Sequence, residues 1–275
     1  MRSMAQILRN PNDDQIIAAI EENQFELMYS INQAWSGGEL HEDAGFLWTI
    51  SDIPFPMFNS VMKTDVDDEN IDELILRMKR IYEERHVPWT WRIGPATRPS
   101  NLGKRLIQKG LIHYDTLPGL AHFLDEFSVD IDFPPGLSII QIGDAQSLQQ
   151  WVGAMSESFH IPIHASEALY NSFLEVGFSF SQPVRHYLGL VDGKAVATST
   201  LFLGAGVAGI YNVATLQDYR RKGFGAALTI APLLQARAQG FLIAVLESSR
   251  EGLNLYSRLG FKQYCQFEQY ISLSV

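Results

Sequence analysis

The chain has 275 residues, room for two domains of about 100–150 residues each. It is 46% hydrophobic and 19% charged, which excludes a disordered chain. The net charge of −10 lies entirely in residues 1–136, with 12 Lys/Arg against 22 Asp/Glu, whereas 137–275 carry 9 of each; this excludes a nucleic-acid partner and reads as a solvated acidic surface, the alternative being a field that draws in a cationic amine.

The start, Met1–Gln6, has no apolar export core, and no apolar run reaches the ~18 residues of a membrane span. The expected compartment is therefore the cytoplasm, with no membrane partner. Phe58–Thr64 reads as a strand. Glu69–Arg85 reads as a helix with Ile71, Leu74, Ile75, Met78, Ile81 and Tyr82 on one face. Val87–Ile93 is a further strand, Asn101–Lys109 a short helix stopped by Gly110, and Leu111–Leu124 two short strands. The run Asp130–Gly136, ending in Pro134-Pro135-Gly136, reads as a linker. It divides the chain into 1–132 and 137–275.

In the second part, Leu137–Ile142 reads as a strand and is followed by helices over Ala145–Phe159 and Ser166–Val176. Val184–Val191 and Ala195–Leu203 flank Asp192-Gly193, a hairpin signal. Val207–Ala214 is another strand, and a helix follows from Gly225 to Gln239, with a kink expected at Pro232. Ile243–Glu247 has the short apolar run of a buried strand. Ser248-Ser249-Arg250-Glu251 reads as a capping box for a helix to Leu259. Strands around Phe261–Gln266 and Glu268–Leu273 close the chain. Cys265 is the only cysteine, so neither an internal disulfide nor a metal site is expected.

The segment Arg220-Arg221-Lys222-Gly223-Phe224-Gly225 concentrates the chemistry. Its two glycines allow a tight turn and close approach of backbone N–H groups to a ligand. The helix that follows offers unpaired N–H groups and a partial positive charge, and three cations stand beside it. Together these suit a pyrophosphate. Alone, a Gly-x-Gly ahead of a helix is also explained by turn glycines beside a basic patch.

The pair of motifs Arg-x-x-Gly-x-Gly at Arg220–Gly225 and Leu-Tyr-x-x-Leu-Gly-Phe at Leu255–Phe261 resembles the GNAT superfamily of N-acetyltransferases. The likeness covers about 137–275 and is sharpest from Asn212 to Phe261. It implies an α/β (α+β) fold of two GNAT-like domains, each a central mixed, mostly antiparallel sheet flanked by helices. The first would be a degenerate copy. The resemblance implies that the loop through Ala226 holds the pyrophosphate of acetyl-CoA, and that Val213-Ala214-Thr215 pair with its pantetheine arm. Tyr256 would protonate the departing thiolate. Many members carry an Asn where this chain has Ser249, whose hydroxyl would take over that contact to the arm.

Glu247, at the end of its strand, is the candidate base for the amine; its alternative role is a surface carboxylate. The alternative for Tyr256 is a core tyrosine packed with Leu253 and Leu259. The expected activity is acetyl transfer to a small-molecule or peptide amine, with a homodimer compatible and an inactive CoA-binding regulator as the alternative. Gly204–Gly209 spells Gly-x-Gly-x-x-Gly, but a strand follows it, so it reads as a hairpin turn and not a dinucleotide site. His160 and His164 flank Pro162 and read as a loop near the acceptor, not a metal pair. In the first half, Asp65, Asp67, Asp68 and Glu69 precede the helix where a phosphate site would need cations.

Overall fold

The computed structural model describes residues 6–126, 133–178 and 182–273. The first half forms helix α1 (Asp13–Ala34), strands β1 (Gly38–Asp43), β2 (Phe46–Ser51) and β3 (Ser60–Thr64), α2 (Ile71–Glu84), β4 (Trp89–Ile93), α3 (Leu102–Gln108) and β5 (Ile112–Phe123). The second half adds β6 (Leu137–Gln141), α4 (Ala145–Phe159), α5 (Ile163–Val176), β7 (Val184–Val191), β8 (Lys194–Gly204) and β9 (Val207–Thr215). It ends with α6 (Phe224–Ala238), β10 (Ile243–Glu247), α7 (Leu253–Arg258) and β11 (Lys262–Ser272).

Local chemistry explains where the longer helices begin. Asn12 caps α1 by accepting from the Gln15 backbone at 2.9 Å, and the Gln15 side chain returns the bond. Asp144 caps α4 in the same reciprocal way with Ser147. Pro162 sits at the N-cap of α5, where its missing N–H costs nothing.

All eleven strands form one sheet in the order β1-β2-β3-β4-β11-β5-β10-β9-β8-β7-β6. Only β3–β4 and β9–β10 pair in parallel, so the sheet is mixed and mostly antiparallel. Each half contributes one of these parallel pairs. Each half also lends its last strand to the other: β5 lies between β10 and β11, and β11 lies between β4 and β5.

Alternation along the strands assigns the helices to two faces. Leu120 and Leu246 pack with Phe224 of α6 and Tyr256 of α7, while their neighbours Ala121 and Val245 pack with Ile16 and Ile20 of α1. The α4–α5 layer, with Trp151 and Phe173, adjoins α1 through Trp35. Among the described residues, no helix is long and apolar enough to cross a membrane.

Several sequence expectations need correction. Residues 112–123 form one strand, not two, although Pro118 lies within it. The chain likewise ends in one strand over 262–272, with register shifts at Gln263/Cys265 and Gln269/Tyr270. Helix α1 and the β1–β2 hairpin were not expected at all. The last helix begins at Leu253 with Gly252 as its cap, and the expected capping box is not made. Instead Ser249 Oγ accepts from the Gly252 N–H at 3.2 Å. The hairpin reading of Gly204–Gly209 matches the turn between β8 and β9, where Ala205 and Gly206 both have positive φ. Met1–Ala5 and residues 127–132, which include the acidic part of the expected linker at 130–132, lie outside the described residues.

Candidate active site

The site is a split between two parallel strands. β9 and β10 pair at Ala208–Ala244 and Gly209–Val245 and then part. Beyond that point β10 follows β5, with Glu247 opposite Gly119, and β9 follows β8. The edge of residues 210–215 that faces the split has no strand partner among the described residues. Its backbone N–H and C=O groups are available to an extended ligand.

A bulge in β9 aims part of this edge. Thr198 lies opposite Ala214 while Thr200 lies opposite Tyr211, and Asn212 between them takes a left-handed φ of 52°. Side chains hold it there. Thr198 Oγ1 donates to the Asn212 carbonyl at 2.9 Å, and Asn212 Nδ2 donates to Thr200 Oγ1 at 3.1 Å. His186 Nδ1 lies 2.8 Å from Thr200 Oγ1, and burial pushes its imidazole down to about 3, so it is neutral near pH 7.

The expected anion loop follows β9. Gly223 is the N-cap of α6 at φ 87° and no side chain caps the helix. The Ala227 N–H makes the first bond, to the Gly223 carbonyl at 3.0 Å, which leaves the N–H groups of Phe224, Gly225 and Ala226 for a ligand. The three cations differ. Arg220 donates to the carbonyls of Thr215 (3.1 Å) and Ser158 (3.2 Å), tying the end of β9 to α4. Lys222 folds back onto the Asp218 carbonyl at 2.8 Å and over the Tyr219 ring. Arg221 makes no side-chain bond to the described residues, and its backbone is left-handed at φ 60°.

One cleft of about 1310 Å³ joins the split to this loop. It brings together Val213, Ala214, Thr215, Arg220, Arg221, Gly223, Phe224, Gly225, Ala226, Glu247, Ser249 and Tyr256. Of the site residues expected from the sequence, only Lys222 is not on its wall. Pro232 lies inside α6, which runs on to Ala238.

Tyr256 is buried against Phe261, with Thr229 in hydrogen-bonding contact with its hydroxyl. Burial pushes the phenol up to about 12. Glu247 also opens into the cleft, but its carboxylate is gripped by Arg92 of β4. The guanidinium makes two hydrogen bonds, Nη1 to Oε2 at 2.9 Å and Nη2 to Oε1. The sequence reading did not find Arg92. The available signal was a single charge in the strand Trp89–Ile93, beside two tryptophans. Nor did it find Glu21 of α1, a carboxyl raised by burial that accepts from the Ala96 N–H at 3.0 Å beside the pair.

The first half repeats the split but closes it. β3 and β4 pair in parallel at Ser60–Thr90 and Val61–Trp91. Above them the Arg98 N–H donates to the Thr64 carbonyl at 2.9 Å, and the Trp91 indole donates to Thr64 Oγ1 at 2.9 Å. The cavity beside the start of α2 is lined by Asp43, Asp65, Asp67 and Glu73 with Arg77 and Arg98. That wall repels a polyphosphate. Trp35, Trp48, Trp89 and Trp91 are all core residues, and none lines the large cleft. His160 ends α4 at φ 55° and His164 lies in α5. Among the described residues, no group of three or more His, Cys, Asp or Glu is placed to hold a metal.

Comparison with known proteins agrees with this geometry. The acetyltransferase (GNAT) domain family matches residues 182–263. A GCN5-related N-acetyltransferase from Kribbella flavida superposes with a TM-score of 0.68 at 17% identity, over 93% of this chain and 95% of that one. One from Sphaerobacter thermophilus gives 0.62 at 16% identity, over 96% and 94%. A tandem GNAT protein from the clavulanic acid biosynthesis pathway gives 0.60 at 13%, over 95% of each chain. No curated protein matches the sequence. Residues 182–263 thus match the GNAT domain family, and the chain as a whole has the fold of the GCN5-related N-acetyltransferases.

Proposed function

We propose that the protein transfers an acetyl group from acetyl-CoA to the amine of a small molecule or peptide. The observation that carries this reading is that Tyr256 and Glu247 open into one split from opposite faces of the sheet, Tyr256 from the α6 side and Glu247 from the α1 side. The α6 start and Arg221 suit the pyrophosphate, and the unpaired edge Val213–Thr215 suits the pantetheine arm. Acetyl-CoA supplies the acyl thioester. Glu247 receives the proton lost by the attacking amine. Tyr256 gives a proton to the departing sulfur.

A phenol near 12 stays protonated at neutral pH and so keeps its proton for that step. Its transfer to a thiolate whose acid has an ordinary pKa of about 8.5 is uphill by roughly 5 kcal/mol, and burial of the thiolate in the same apolar wall narrows the gap. The closed split and acidic cavity of the first half support one acetyl-CoA per chain. The reaction needs no metal.

The test is acetyl-CoA-dependent thiol release against a panel of amines, with direct measurement of acetyl-CoA binding. Tyr256→Phe is expected to lower turnover at least about 100-fold with cofactor affinity unchanged. Tight binding without amine-dependent release from any acceptor would instead establish a CoA-binding regulator. Binding that survives Gly223→Asp would refute the assignment of the loop.

A further inference from the structure

We propose that Arg92, on a strand of the first half, is the positioning residue for Glu247, so that the half without its own cofactor cleft supplies a working part of the active site. The inference rests on the reading of Glu247 as the base.

Arg92 and Glu247 lie on strands separated by two others, β11 and β5. At about 4.8 Å per strand the backbones are roughly 14 Å apart. The side chain of Arg92 bridges that gap by lying flat. Its guanidinium sits 4.0 Å above the Phe267 ring of β11 and reaches the carboxylate of Glu247, whose backbone pairs with Gly119 of β5. Both partners of the ion pair are nearly sealed from water, at 7% and 9% side-chain exposure. A two-point grip fixes the direction of the carboxylate as well as its charge. It therefore sets which oxygen lone pairs remain to meet an amine in the split.

The charged and titratable groups around Glu247 come from four elements. Arg92 comes from β4, Glu21 from α1, Tyr211 from β9 and Cys265 from β11. Tyr211 is bonded to Asn23 of α1 at 2.7 Å. Arg92 is the one cation in this set. Without it, Glu247 would face Glu21 and two groups that are neutral near pH 7, and a carboxylate there would be harder to keep ionised.

The experiment compares wild type, Arg92→Lys, Arg92→Gln, Glu247→Gln and the double variant Arg92→Gln/Glu247→Gln. The readouts are pH profiles of kcat/KM for the amine and direct acetyl-CoA binding. Arg92→Gln is expected to cut kcat at least 10-fold, to leave acetyl-CoA affinity within about twofold, and to move the acid limb of the profile upward by about one pH unit. Arg92→Lys restores the limb but only part of kcat, because an ammonium gives charge without the two-point grip. In the double variant, loss of Arg92 adds nothing to loss of Glu247, and the neutral pair keeps the site foldable.

The proposal is overturned if Arg92→Gln leaves the acid limb in place. It is also overturned if the two substitutions multiply, or if acetyl-CoA affinity and melting temperature fall together with kcat. A wild-type protein with no amine-dependent thiol release would refute the underlying acetyltransferase reading instead, a result distinct from all of these.

Discussion

Arg221 keeps a long side chain at a backbone position of φ 60°, a conformation that costs a non-glycine residue about 1–2 kcal/mol. Its neighbours Arg220 and Lys222 spend their charge on backbone carbonyls, Arg220 on Thr215 and Ser158 and Lys222 on Asp218. Strain held beside an uncapped helix start points to use of the side chain by a ligand. Arg221→Gly relieves the strain and restores some freedom to the unfolded chain, two effects of similar size and opposite sign. Stability is therefore expected to stay within about 1 kcal/mol of wild type by urea denaturation. Acetyl-CoA affinity is expected to fall at least fivefold by calorimetry, about 1 kcal/mol for one charge-assisted contact. An unchanged affinity would assign the phosphate contacts to the backbone alone.

At the scale of elements, the two exchanged strands depend on one glycine. A Cβ at Gly119 of β5 would stand 2.5 Å from Cys265 Sγ and 2.9 Å from the Phe267 ring on β11, and 3.2 Å from Ile20 on α1. Gly119→Ala is expected to destabilise the fold by about 1–3 kcal/mol, the range of overpacked cores, seen as a lower urea midpoint. Adding Cys265→Ala removes the nearest obstacle and should recover part of the loss. If Gly119→Ala alone left the midpoint unchanged, the close packing of β5 on β11 would be wrong. This contact also shows where the sequence stops being legible. β9, β10 and the α6 start were readable because their signals are local: an apolar run, a Gly-x-Gly, a following apolar stretch. The pairing of β5 with β11 joins residues about 150 apart and carries no local mark. The two strands were each divided because Pro118 and the register shifts interrupt their alternation. Helix α1 was missed for another reason. Its inward face carries the polar Glu21 and Asn23, which interrupt an apolar stripe; both are buried, and Asn23 donates to the Gly204 carbonyl at 2.8 Å and anchors α1 on the second half.

At the scale of the whole molecule, the reciprocal loan of strands makes the halves dependent on each other. Without the first half, β10 would lose its antiparallel partner along all five residues from Ile243 to Glu247, and β11 would lose both neighbours. The core around α6 would lose Leu120 and Leu124, and the cluster beneath α1 would lose Ile16, Ile20 and Ala121. Exposed strand edges and an uncovered apolar face favour aggregation over a stable monomer. Each orphaned backbone group that remains buried would add a desolvation cost of about 1–3 kcal/mol. A fragment of residues 133–275 holds the whole anion loop and Tyr256, yet it is expected to be insoluble or unfolded by circular dichroism and to bind no acetyl-CoA. Co-expression with a fragment of residues 1–126 is expected to give a soluble one-to-one complex. That complex would share the cooperative melt and acetyl-CoA affinity of the intact chain, because the missing pairings are all non-covalent. A folded, monomeric 133–275 fragment that bound acetyl-CoA would show that the exchanged strands are dispensable, and that the second half is complete without its partner.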